Sequence, residues 1–225
     1  MAEVIVAFDV ASAGEAVALA DRLPGLRWAK LGPVVLLDGG PAVVRSFKQR
    51  GVRVFLDMKW HDIPNTVAEA VRAADRLGID LVTVHALGGE AMLCAAVAAR
   101  QTVRVAAVTV LTSHSAEEFS RVVGRPVDDL EEEVRLLATS AARAGVDGIV
   151  TSPLEIDVVK PILPAGSWIV VPGIRPPGAP AGDQRRTATP EWATARGATH
   201  LVIGRPILEA EDPRAVYERA CEVAA

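Results

Sequence analysis

Cysteine is nearly absent from this 225-residue chain, with only Cys94 and Cys221, in unrelated contexts. That argues against a disulfide framework and a thiolate metal site, and makes a reducing cytoplasm the expected compartment. Aromatic residues make up only 4% and the net charge is −4, with a pI near 5.6. A chain with no basic stripe and little to stack bases on is not expected to bind nucleic acid. No apolar run reaches about 18 residues, so no membrane-spanning helix is expected. The opening MAEVIVAFDVASAGEA lacks a basic segment and is interrupted by Asp9 and Glu15, unlike a signal peptide. No GxGxxG follows the first apolar run, which argues against a dinucleotide-binding open sheet. Lysine is scarce too: of 24 basic residues only four are lysine, and two of these, Lys30 and Lys59, close apolar β-prone runs.

What the chain does have is apolar. Half the residues are hydrophobic and mean hydropathy is +0.27. Eight β-prone segments recur: 4–10, 27–32, 52–59, 80–86, 103–112, 148–152, 168–173 and 200–205. They are near-continuous apolar runs, as expected of parallel strands covered on both faces. Between them lie stretches with helical spacing such as TVAEAVRAADRLG, ending on Gly78 as a helix C-cap. Eight strands alternating with helices predict a closed (β/α)8 TIM barrel forming a single domain over 1–225, with an open doubly wound sheet as the alternative. The Gly- and Pro-rich stretch 173–190 is expected to be a long functional loop after the seventh strand.

The segment VFLDMKWHDIPNTV (54–67) departs from this pattern. Asp57, Lys59, His61 and Asp62 crowd the end of a strand, where burying charge is costly unless it is paired. Asp57 and Lys59 are two apart and share one side of the strand, with Leu56 and Met58 toward the helices. Lys30, ending the neighbouring strand, can meet them, giving the alternating array Lys30–Asp57–Lys59–Asp62, whose four charges can remain ionised together. Such a network either only stabilises the fold or marks an active site; its place at the C-terminal strand ends favours the latter. Asp9 ends strand one, and Thr112 and Ser113 end strand five. A second constellation points to phosphate. PGIR after strand seven carries Arg175, and IGRP after strand eight carries Gly204 and Arg205. Barrels often bind phosphate with these two loops, glycine permits close backbone approach, and arginine binds phosphate oxygens bidentately.

Other residues have plainer readings. His61 packs or hydrogen-bonds in the charged loop. His85 lines the mouth or is a satisfied strand histidine. His114 and His200 look incidental. Trp28, Trp60, Trp168 and Trp192 read as packing residues, and DDLEEE (128–133) as a helix start. No cluster has metal-ligand spacing.

Taken together, FLDMKWHDIPNTV resembles the DxKxxDIPNT signature of orotidine 5′-phosphate decarboxylases. FDVAS, WAKLG, VTVLTS, VVPGIRPPGAPAGDQRRTATP and HLVIGRPI extend the likeness from Asp9 to Arg205. The resemblance implies a homodimeric carbon–carbon lyase that converts orotidine 5′-phosphate to UMP without metal or other cofactor. It implies that Lys59 protonates C6 and that Asp57 faces the substrate carboxylate and holds Lys59. Lys30 and Asp9 would bind ribose hydroxyls, and Asp62 and Thr66 would enter the neighbouring subunit's site. Thr112 or Ser113 would contact the pyrimidine, and Arg175, Gln184, Gly204 and Arg205 the phosphate, with Gln184 on a loop that closes over the ligand. A monofunctional enzyme is expected. The alternatives are a Mg²⁺-dependent phosphosugar lyase of the same superfamily, expected to carry an acid where Lys30 stands, and a non-catalytic nucleotide-binding barrel.

Overall fold

The computed structural model describes residues 1–176 and 186–224. Its strands are β1 (Glu3–Phe8), β2 (Trp28–Leu31), β3 (Arg53–Trp60), β4 (Leu81–His85), β5 (Arg104–Val108), β6 (Gly148–Val150), β7 (Trp168–Val171) and β8 (His200–Ile203). Each pairs in parallel with the next, and β8 returns to β1 through Ile5↔Val202, closing the barrel. The eight expected segments are these eight strands. Several strands stop short of their apolar run, because the last residues leave the ladder to line the barrel mouth: the run 103–112 pairs only as far as Val108.

Both faces of each strand are buried, which explains the lack of polar alternation. In β1, Val4, Val6 and Phe8 face the helices, whereas Ile5 and Ala7 meet Phe55, Leu81 and Val202 inside the barrel. Phe8 packs edge-on against Phe47 of the helix Pro33–Gln49, ring centroids 5.1 Å apart. Each large side chain so buried contributes roughly 1.5–3 kcal/mol. Gly148 is required where β6 meets β7: a Cβ there would stand 2.5 Å from the Trp168 carbonyl oxygen. Helix Pro64–Arg76 is capped by Leu77, and Gly78 follows at φ 73° to reverse the chain. The DDLEEE acids open helix Leu130–Ala144, with Asp129 accepting from two backbone amides of its first turn.

The N-terminal end of the barrel is plugged by residues that begin strands. Trp28, Trp168 and His200 pack as a ring cluster, with the Trp168 and His200 centroids 4.3 Å apart. Arg53 lies 4.5 Å over Trp28 and Arg104 lies 4.7 Å over Trp168, while Glu3 accepts from the Trp28 indole at 2.7 Å. His200 is therefore a core residue, not an incidental one. Burial pushes its pKa down from 6.5 to about 4; Glu3 opposes the shift, and Arg53 and Arg104 reinforce it. The unfolded chain binds this proton below its higher pKa and the folded chain does not. Stability is thus lost as pH falls from about 6.5 to about 4, by about 3 kcal/mol from this group. Urea unfolding across that range is expected to give a shallower pH slope for His200→Gln than for the parent; identical slopes would refute the assignment.

Candidate active site

The opposite, C-terminal mouth opens into a cavity of about 730 Å³. Asp9, Lys30, Asp57, Lys59, Thr112, Ser113, Arg175, Gly204 and Arg205 all line it. The loops that follow β1, β5, β7 and β8, together with the ends of β2 and β3, therefore converge as the strand-end reading anticipated.

At its base lies a continuous ion-pair relay. Lys30 Nζ is 2.8 Å from Asp9 Oδ1 and 3.4 Å from Asp57 Oδ2, and Lys59 Nζ is 2.8 Å from the same Asp57 oxygen. Burial alone works against the Lys30 ammonium, but Asp57 and Asp9 outweigh it and hold its pKa above the ordinary lysine value. Burial likewise works against the Asp57 carboxylate. Lys30 and Lys59, with hydrogen bonds from Lys59 and Thr83, reverse that and hold it below the ordinary carboxylate value. Both groups stay charged at neutral pH, and each charge is held by its neighbours. The side chains of Lys30 and Asp57 are 11% and 10% exposed, but that of Lys59 is 38% exposed. Lys59 is thus the cation that the relay presents to the cavity.

Within one protomer Asp9 is the further member of the relay, and Asp62, expected to serve the neighbouring subunit's site, lies apart from it. Asp62 is exposed, and its carboxylate accepts from the amide of Ile63 at 2.6 Å. Thr66, in the first turn of helix Pro64–Arg76, is also exposed. Neither lines the cavity of its own chain. Gln184 lies outside the described residues.

Asp57 and Lys59 share one side of β3, but not through a regular pleat. The pairing with β4 slips between Leu56↔Val82 and Trp60↔Val84, and Lys59 adopts φ 50°, a left-handed conformation costing about 1–3 kcal/mol for a non-glycine residue. Thr83, fully buried on β4, holds this bulge. Its hydroxyl accepts from the Lys59 amide at 2.9 Å and donates to Asp57 Oδ1 at 2.8 Å. Thr83 does not stand out in the sequence. Its only signal was a hydroxyl at an inward position of the apolar run LVTV.

Two histidines lie at the ends of β3 and β4, outside the lining of the cavity. His61 stacks on His85, centroids 5.7 Å apart and planes 22° apart. His85 Nδ1 accepts from the Leu87 amide at 3.3 Å. Burial, with His61, Lys59 and His114 nearby, lowers the His85 pKa to about 4. It is therefore neutral beside the relay at physiological pH.

On the other side, Gly173 (φ 77°) turns the chain out of β7, and Arg175 donates its backbone amide to the Ala188 carbonyl at 2.9 Å. At Gly204 a Cβ would stand 3.3 Å from the Ala7 carbonyl oxygen, so the close approach of this turn to β1 favours glycine. Arg205 follows, exposed at the rim. Two glycine–arginine turns thus face the relay across one cavity.

A closed eight-stranded barrel with a buried ammonium–carboxylate relay at its C-terminal mouth defines a (β/α)8-barrel enzyme. The comparisons narrow the class. The family model described as orotidine 5′-phosphate decarboxylase / HUMPS family matches residues 2–220, and the chain belongs to that family. It is 47% identical over 221 residues to an orotidine 5′-phosphate decarboxylase of Moorella thermoacetica, covering 94% of this chain and 87% of that protein. It is 47% identical over 229 residues to that of Halorhodospira halophila, covering 98% and 95%. The crystal structure of orotidine 5′-phosphate decarboxylase from Lactobacillus acidophilus superposes with a TM-score of 0.87 at 34% identity, covering 100% of this chain and 99% of the other.

Proposed function

We propose that this chain decarboxylates orotidine 5′-phosphate to UMP and carbon dioxide, with Lys59 as the proton donor. The observation that carries this assignment is the relay itself, in which Lys30 and Asp57 are buried and Lys59 projects into the cavity. In the reaction the bond between C6 and the carboxylate breaks, carbon dioxide leaves, and the electron pair remains on C6. No ring position offers a conventional sink for that pair. A preorganised ammonium beside C6 stabilises the developing charge and then supplies the proton; water later reprotonates the Lys59 amine. Asp57 faces the departing carboxylate and fixes Lys59. Thr83 positions both residues. Lys30 and Asp9 bind the ribose hydroxyls, Thr112 or Ser113 contacts the pyrimidine, and Arg175, Gly204 and Arg205 take the phosphate. Binding energy from the phosphate, remote from C6, contributes to the reacting geometry.

The working form is a homodimer, with Asp62 and Thr66 completing the partner's site. Their exposure supports this, as does the exposed apolar side chain between them, Ile63, which is 66% exposed and offers apolar area for a partner to cover. No helix among the described residues is long and apolar enough to cross a membrane, and the cysteine-poor chain suits the cytoplasm. One barrel, acting as a single domain, carries the whole function.

The decisive measurement is loss of orotidine 5′-phosphate absorbance on mixing with purified protein in EDTA. Full turnover is expected in the chelator. Activity that disappears with EDTA and returns with Mg²⁺ would instead indicate a metal-dependent phosphosugar lyase.

A further inference from the structure

The most deeply buried ion pair among the described residues, formed by loops that follow β6 and β7, plays no part in the chemistry above. Glu155 and Arg186 are 3% and 9% exposed and bond directly to each other. Glu155 ends the single turn Pro153–Glu155 after β6. Its carboxylate accepts from the Ser152 amide at 3.0 Å, from the Ser152 hydroxyl, and from the Thr151 hydroxyl at 3.4 Å. The other end of the Arg186 fork reaches the loop after β5, donating to the Leu111 carbonyl at 2.8 Å and, more weakly, to that of Val110 at 3.4 Å. Among the described residues Arg186 Nε has no hydrogen-bond partner, and the contacts named here are made by the two Nη atoms. Arg186 also stands two residues before Ala188, which pairs with Ile174 and accepts from the Arg175 amide.

One guanidinium therefore joins the loops after three consecutive strands. Leu111 directly precedes Thr112 and Ser113, on the pyrimidine side of the cavity. Ala188 braces Arg175, on the phosphate side. Glu155 holds the guanidinium between them. A buried ion pair is a poor device for stability alone, since apolar side chains of similar volume do as well. The planar fork adds a fixed geometry among three backbones.

We propose that Arg186, oriented by Glu155, is a positioning residue that couples phosphate contact at Arg175 to the placement of Thr112 and Ser113 against the pyrimidine. The proposal rests on the decarboxylase reading. It assigns neither residue a contact with substrate.

The test compares Arg186→Gln, Glu155→Gln and Arg186→Lys with the parent, using orotidine 5′-phosphate and the phosphate-free nucleoside orotidine. Arg186→Gln is expected to lower kcat/KM for the phosphorylated substrate by on the order of 10²-fold, the scale of an ångström-level misplacement. Turnover of orotidine, which draws nothing from the phosphate loops, should barely change. The advantage conferred by the phosphate then shrinks by the same factor, and the affinity ratio of UMP to uridine shrinks with it. Glu155→Gln should reproduce the effect, and the double variant should be no worse than either single one, because the pair acts as a unit. A merely structural role would depress both substrates alike, and that result overturns the proposal, as does an unchanged phosphate advantage. If Arg186→Gln fails to fold, Arg186→Lys decides: it keeps a charge beside Glu155 but cannot fork to Leu111, so it should fold and still lose the phosphate advantage. A parent protein inert toward orotidine 5′-phosphate would refute the decarboxylase reading itself. An active parent whose variants keep the phosphate advantage refutes only the coupling.

Discussion

Replacing Lys59 by alanine is expected to lower kcat by at least about 10⁴-fold, because in the proposed mechanism one ammonium serves as both charge stabiliser and acid. Losing a positioned proton donor alone costs about 10²–10⁴-fold, and losing a preorganised donor to developing charge costs about 10²–10³-fold. The two roles overlap in one group, so they do not simply multiply, but the total exceeds either. The fold should survive. Asp57 keeps Lys30 as a cationic partner at 3.4 Å and Thr83 as a hydrogen-bond donor at 2.8 Å, so no buried carboxylate is stranded. The left-handed backbone at residue 59 is no worse for alanine than for lysine. UMP affinity should therefore stay measurable by calorimetry, and the melting temperature should move little. Turnover within tenfold of the parent would remove Lys59 from the chemistry.

The sequence was most legible where physical constraint was strongest. Runs such as VRVFLDMK and HLVIGR read as strands because both faces of a barrel strand are apolar, leaving no competing period. Lys30, Asp57 and Lys59 stood out because charge at the end of an apolar run needs a partner, and the structure supplies one for each. What escaped notice depended on three-dimensional neighbours. Simple alternation put Asp57 and Lys59 on one side, and they are; yet the route is a bulge held by Thr83 across the ladder, which no spacing within β3 encodes. Asp9 joins the relay because β1 pairs beside β2, with Ala7 opposite Lys30. Arg186 looked like one arginine among many in QRR; only the fold sets it against Glu155, more than thirty positions away. His200 seemed incidental because its burial comes from Trp28 and Trp168 on other strands.

The proposed sharing of sites between subunits yields the sharpest result. Asp62→Ala should lower kcat by at least about 10²-fold, since it removes a charge beside the partner's relay and disturbs the reacting geometry there. If Asp62 served its own chain, mixing it with Lys59→Ala protein would recover nothing. If it serves the partner, a mixed dimer holds one doubly defective site and one intact site, the latter built from Lys59 of one chain and Asp62 of the other. Random exchange in a one-to-one mixture makes half the dimers mixed, and half the sites in those are whole. About a quarter of parental activity should therefore return, as two-fold symmetry requires. The exposed Ile63 next to Asp62 would lie at this interface, so Ile63→Glu should weaken the dimer and lower activity as the protein is diluted. A mixture as inactive as its two parents, after native mass spectrometry has confirmed exchange, would return Asp62 to the site of its own chain and refute the sharing of sites.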